Sequence, residues 1–166
     1  MAKKFKISIL LLTLFSWHTH ASCINQAANR WNIPPVILEA IISKESNWRK
    51  NAIGENSNGS KDFGLMQINS INIPKLKSEK IILNKAMLLN PCHNINAGAY
   101  LLQQKFKKHG YSWKAVGAYH SETPKRRDKY AKAIRKIVAK NQDMTPLKNK
   151  IFSEHSLEES TISYRQ

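Results

Sequence analysis

Apolar residues return at helical spacing through most of the chain. Val36, Ile37, Ala40 and Ile41 follow Pro34-Pro35, and proline suits a first helical turn because the N–H it lacks would have no partner there. The same reading predicts helices over 24–31, 35–47, 64–70, 79–88, 94–108, 112–119 and 125–140. Gly110 after His109 marks one helix stop, and Pro124 marks the restart. No segment alternates in the manner of a convincing strand. The stretch 51–62 carries Gly54, Asn56, Ser57, Asn58, Gly59 and Ser60, turn chemistry that predicts an irregular loop or a small hairpin. The expectation is a mainly α single domain.

Both ends of the chain differ from this middle. Lys3, Lys4 and Lys6 precede an apolar stretch from Ile7 to Trp17, and Thr19-His20-Ala21 follows, so residues 1–21 read as a secretory signal peptide and the mature chain as exported to the periplasm. Lipidation at Cys23 is the alternative, but His20 stands where a lipobox normally has leucine. The apolar core of the leader is short for a bilayer, and no later segment approaches twenty apolar residues, so no transmembrane segment is expected in the mature chain. Beyond Asn141 the composition turns polar, with Pro146, Glu154, Glu158, Glu159 and Ser160. Residues 142–166 are read as a mobile tail, which leaves 22–141 as the domain.

Export changes the meaning of two other features. Cys23 and Cys92 are the two cysteines of the mature chain, and in an oxidising compartment they are expected to pair. A reactive thiol would need a supporting constellation that Cys92-His93 lacks. The formal charge is +16, and the leader holds three of the lysines, so the mature chain stays near +13. In the cytosol such a charge would suggest nucleic acid. Outside it the anionic cell wall or the membrane surface is the expected neighbour, unless the basic helices simply carry a solvated face. His93, His109, His120 and His155 lack metal-ligand spacing, and phosphate loops and a Gly-x-Ser-x-Gly elbow are missing, so no metal or cofactor is expected.

One carboxyl stands out. Glu45 falls in the last turn of the predicted helix 35–47, and Asn47, Asn51 and Gly54 signal that the helix ends soon after. The negative end of the helix dipole and the neighbouring apolar stripe with Trp48 both disfavour a carboxylate. A raised pKa is what a general acid near neutral pH requires. A solvated helical glutamate is the alternative for the residue taken by itself.

Four motifs occur in order: Glu45-Ser46-Asn47-Trp48, the run Gly64-Leu65-Met66-Gln67-Ile68-Asn69, the run 94–102 beginning Asn94-Ile95-Asn96-Ala97-Gly98, and Ala115-Val116-Gly117-Ala118-Tyr119-His120-Ser121. Together they resemble the lytic transglycosylases of the lysozyme-like superfamily, and most closely the small exported members that accompany secretion, conjugation and pilus systems. The resemblance covers 23 to about 140. It implies a lysozyme-like fold that cuts between N-acetylmuramic acid and N-acetylglucosamine without water, leaving a 1,6-anhydro end. It implies peptidoglycan strands as substrate and an envelope-spanning secretion machine as possible partner. By the same resemblance Glu45 is the general acid and then base, Ser46 supports the end of its helix, Gln67 and Asn69 line the groove, and Tyr119 places its hydroxyl near Glu45. Met66, Ala97, Gly98, Leu101 and Leu102 are more simply core. The fourth motif departs from the Ala-Tyr-Asn of many larger members, having His120, Glu122 and Pro124.

Asp62 leaves the chemistry open. The segment 60–70 also resembles animal-type lysozymes, in which an aspartate before this motif is the second catalytic carboxylate of a retaining hydrolase. A cap on the helix predicted from Gly64 is the other reading of Asp62. A hydrolytic muramidase using Glu45 and Asp62, and a non-catalytic glycan-binding scaffold, therefore stand beside the lytic enzyme.

Overall fold

The computed structural model describes residues 15–143, with side chains over 23–141. Most of the expected leader and all but the first residues of the expected tail lie outside them. Among the described residues six α-helices occur in the order α1 (Phe15–Trp31), α2 (Pro35–Ser46), α3 (Ile73–Ser78), α4 (Pro91–His109), α5 (Trp113–His120) and α6 (Pro124–Asp143). Three short strands, β1 (Ile53–Glu55), β2 (Lys61–Phe63) and β3 (Ile68–Asn69), lie between α2 and α3.

Helix α4 is the centre of the core. It packs against α1 and α5, while α6 lies across α5 and α2. Ile95, Ala97, Ala99 and Leu102 of α4 belong to the same buried cluster as Leu38, Ala40, Ile41 and Ile42 of α2. Each large aliphatic side chain there contributes roughly 1.5–3 kcal/mol by leaving water. The termini of α4 are written locally: Asn90 accepts from the N–H groups of Cys92 and His93, Pro91 opens the first turn, and Gly110, at φ +70°, ends the helix. Cys23 and Cys92 form the expected disulfide, joining α1 to the start of α4 across 69 residues. A cross-link of that span stabilises by about 4 kcal/mol in the chain-entropy picture.

The expected helices at 35–47, 94–108, 112–119 and 125–140 are present within a few residues, and the first starts earlier than 24. Two expectations fail. No helix occupies 64–70: Gly64–Gln67 is a tight turn, β3 follows, and a 3-10 turn covers Ser70–Asn72. Leu65, Met66 and Ile68 are all buried, which mimics a helical stripe in the sequence. Gly64 at φ +71° and Gln67 at φ +46° take the backbone out of the right-handed helical region. The helix expected at 79–88 is likewise replaced, by α3 before it and a 3-10 turn, Lys85–Leu89, at its end. Pro74 favours the earlier start, and Asn84 accepts from Met87 N–H to cap the later turn.

The hairpin allowed at 51–62 exists, and a third strand extends it. The antiparallel order is β1-β2-β3, with Gly54 opposite Asp62 and Asp62 opposite Asn69. Strands this short do not stand alone. Asn94, fully buried on α4, holds the sheet to the helices: its amide nitrogen donates to the carbonyls of Phe63 and Leu88 at 2.8 Å each, and its oxygen accepts from Met66 N–H at 2.8 Å. A Cβ on Gly64 would collide with that amide and with Leu88 O. Met66 sits against Gly98, where the absent side chain makes room for its sulfur, in agreement with a core role.

Candidate active site

A groove of about 510 Å³ runs between the sheet and the helices. Asn56, Asp62, Gln67 and Asn69 line it from the sheet side, Leu101 and Lys105 from α4, and Tyr119, His120, Glu122 and Arg126 from α5, α6 and their junction. Glu45 reaches it from the end of α2. That helix stops abruptly because Asn47 and Trp48 both take left-handed backbone, at φ +50° and +65°, and the Asn47 N–H returns to Ser43 O.

Glu45 is half-buried, and its Oε1 accepts a hydrogen bond of 2.5 Å from the Tyr130 hydroxyl. Burial raises its pKa above the ordinary carboxylate value. The Tyr130 hydrogen bond, His120 and Lys44 pull it back, and the Asp62 charge adds to the rise. Trp48 is not the source of the burial, for it is 46% exposed and absent from the groove lining. The packing of α6 against α2 supplies Tyr130 instead. Tyr130 is itself buried, and burial with the adjacent Glu45 charge holds its phenol well above the ordinary value, so it stays a donor. The His120 ring stacks on it, centroids 4.8 Å apart and planes within 2° of parallel.

Tyr119 is in the same groove, but its hydroxyl donates to Met66 O at 2.8 Å, which ties α5 to the turn before β3. The hydroxyl on Glu45 belongs to Tyr130. Ser46 is buried, and its Oγ donates back to Ile42 O at 3.2 Å while its carbonyl accepts from Arg49. Gln67 and Asn69 line the groove with their amide N–H donors already spent within the protein. Gln67 Nε2 donates to Gly64 O at 2.8 Å and Ala52 O at 3.3 Å. Asn69 Nδ2 donates to Asp62 and Ser60, and its oxygen accepts from Ile71 N–H.

Asp62 does not cap a helix, since none begins at Gly64. It lies in the middle of β2, with Oδ1 accepting from Asn69 at 2.8 Å and Oδ2 from Asn56 at 2.9 Å. Two amides therefore orient an acceptor-only group at the groove surface. Among the described residues no three His, Cys, Asp or Glu side chains converge as a metal site would require, and no helix is long and apolar enough to cross a membrane.

Tyr130 and Asn94 escaped the sequence reading as functional or organising residues. Tyr130 lies at helical spacing with Ile134 and Val138, so it reads as core. Its hydroxyl on an apolar face was the available signal, because a buried phenol needs a partner.

A helical domain that closes a saccharide-sized groove with a three-stranded sheet, and sets one desolvated carboxyl at a helix end within it, has the architecture of lysozyme-like, glycan-cleaving proteins. Residues 22–141 match the transglycosylase SLT domain, and the chain belongs to that family, whose members are glycan-cleaving lyases. It is 44% identical over 131 residues to the invasion protein IagB of Salmonella typhimurium, covering 76% of this chain and 81% of that one. It is 38% identical over 131 residues to the protein IpgF of Shigella flexneri, covering 76% and 86%. The fold is similar to that of an inactive mutant of the lytic transglycosylase Slt from Pseudomonas aeruginosa, with a TM-score of 0.60 and 17% identity over 74% of this chain. The match spans only 24% of that larger enzyme.

Proposed function

We propose that this chain cleaves the β-1,4 bond between N-acetylmuramic acid and N-acetylglucosamine of peptidoglycan by intramolecular transglycosylation. The observation that carries the reading is the Glu45 carboxyl, its proton affinity raised by burial and its position fixed by Tyr130 at the edge of a polar groove. Glu45 gives its proton to the leaving glycosidic oxygen. The substrate's own N-acetyl group stabilises the positive charge that develops at C1. The Glu45 carboxylate then takes the proton of the muramic acid C6 hydroxyl as that oxygen closes on C1, so the acid is restored and no water is consumed. Gln67, Asn69 and Tyr119 serve this route by shaping the groove, and Ser46 by holding the end of α2.

One observation favours a second reading. Asp62 shares the groove and its charge reaches Glu45, so a hydrolytic muramidase with Asp62 as second carboxylate has the groups it needs. Mass spectrometry of digested wall separates the two. Transglycosylation yields muropeptides with 1,6-anhydro-N-acetylmuramic ends, one water lighter than the hydrolytic products, and predominantly reducing ends would establish the muramidase instead.

The place of action follows from other features. The lysine-led apolar start with a cut after Ala21, and the Cys23–Cys92 disulfide, support export to the periplasm. One relative, IagB, is described as an invasion protein, and a small wall-cleaving domain in that setting would serve local wall opening for an envelope-spanning secretion machine.

A further inference from the structure

The groove is not uniform in charge. Its sheet side presents the Asp62 carboxylate, oriented by Asn56 and Asn69. Its helical side carries Lys105 of α4, Glu122 and Arg126. Glu122 is shared among Lys105 at 2.6 Å, Lys108 at 3.3 Å and His109 at 3.0 Å, and these partners, Lys105 foremost, hold its carboxyl down to about 2. Glu122 is therefore already committed to two lysines, more positive charge than one carboxylate neutralises, while Glu45, the other carboxyl on this side, is engaged by Tyr130. Arg126 is exposed in the groove lining and makes no ion pair among the described residues.

A guanidinium is a planar fork of donors that matches a carboxylate through two parallel bonds. The sugars of a peptide-bearing glycan lack such a group, because the lactyl carboxyl of muramic acid is taken up in the amide to the stem peptide. The stem peptide itself carries free carboxylates. Asp62 repels them from the sheet side, and the excess positive charge of the helical side attracts them.

We propose that Arg126, with Lys105 on the same side of the groove, forms a subsite for the stem-peptide carboxylates of the muramic acid being cleaved. This rests on the reading of the groove as a peptidoglycan site and adds its selectivity: peptide-bearing strands are preferred over stripped ones. Holding the stem on the helical side also sets which edge of the glycan faces Glu45.

The test compares soluble peptide-bearing glycan strands with strands stripped by an amidase, which leaves a free lactyl carboxylate on each muramic acid. For the wild-type chain kcat/KM is expected to favour peptide-bearing strands by about tenfold, the lower range for a charge-assisted hydrogen bond. Arg126→Gln should reduce that ratio to near one, mainly through KM, and Arg126→Lys should restore part of it. Arg126 is exposed, and a circular dichroism melt confirms that each variant is folded. An unchanged ratio in the glutamine variant, or equal losses on both substrates, overturns the subsite. A loss confined to stripped strands shows that the lactyl carboxylate is the ligand, which also overturns it. If the wild-type chain cleaves neither substrate, the glycan-cleaving reading fails and the subsite with it.

Discussion

Glu45 and Asp62 face one groove from two kinds of structure. Glu45 ends a helix whose Leu38, Ala40, Ile41 and Ile42 are fully buried, so its position is set by apolar packing and its proton affinity by lost solvent. Asp62 lies in a strand of three residues whose neighbours are held by side-chain amides: Asn94 to the backbone of 63–66, Gln67 to the turn, Asn56 and Asn69 to Asp62 itself. The helical side supplies a reactive group. The sheet side supplies a rigid polar surface whose own hydrogen bonds are mostly satisfied. Preorganisation of this kind costs nothing further when a saccharide binds.

The largest expected break in the comparison is at Glu45 itself. Glu45→Gln keeps the volume and still accepts from Tyr130, but cannot donate a proton to the leaving oxygen, so wall cleavage should fall by at least a hundredfold to ten-thousandfold. Stability should move the other way. The folded-state pKa of Glu45 is raised, so the wild-type fold is most favoured below the ordinary carboxylate value and loses that contribution as pH rises through the raised one. The neutral variant should therefore melt at or above the wild-type temperature at pH 7. Retention of more than about a tenth of the rate in the folded variant would remove Glu45 from the acid role.

The sheet side should break by unfolding rather than by chemistry. Gly64→Ala places a Cβ against Asn94 and Leu88 O at a backbone conformation costly to alanine. A loss of about 3 kcal/mol is expected, roughly 10 °C in the melting temperature of a domain this size. A melt within about 2 °C of wild type would show that the turn does not depend on this close approach.

The smallest effects sharpen the contrast, because they act on Glu45 from opposite sides with opposite signs. The Tyr130 hydrogen bond lowers the Glu45 pKa, so Tyr130→Phe should shift the alkaline limb of the pH–rate profile upward. The Asp62 charge raises it, so Asp62→Asn should shift that limb downward by less, while retaining most activity if transglycosylation operates. Shifts of the same sign would refute this account of the carboxyl's environment. Near-total loss in the asparagine variant would make Asp62 the second catalytic carboxylate.

The legibility of the chain follows the same division. The amphipathic helices 35–47, 94–108, 112–119 and 125–140 were readable because burial on one face leaves a periodic trace. So was Glu45 at the end of α2. The β1–β2 hairpin was legible only as turn chemistry over 51–62, since strands of two or three residues leave no period, and β3 was not, because the buried trio Leu65, Met66 and Ile68 suggests a helix. Tyr130 stands 85 residues from Glu45, and no local pattern joins them.

By itself, then, the order of residues determined the helical scaffold, the pairing of its cysteines and the carboxyl at the end of α2, because each depends on local spacing, local caps or the count of one residue type. Tertiary structure alone decided which hydroxyl meets Glu45, where the donors of Gln67 and Asn69 are spent, and that Asp62 is a strand residue held by two amides. Those are contacts between segments far apart in the chain. They are chosen when α4 and α6 close the core, by the requirement that every polar group buried there find a partner.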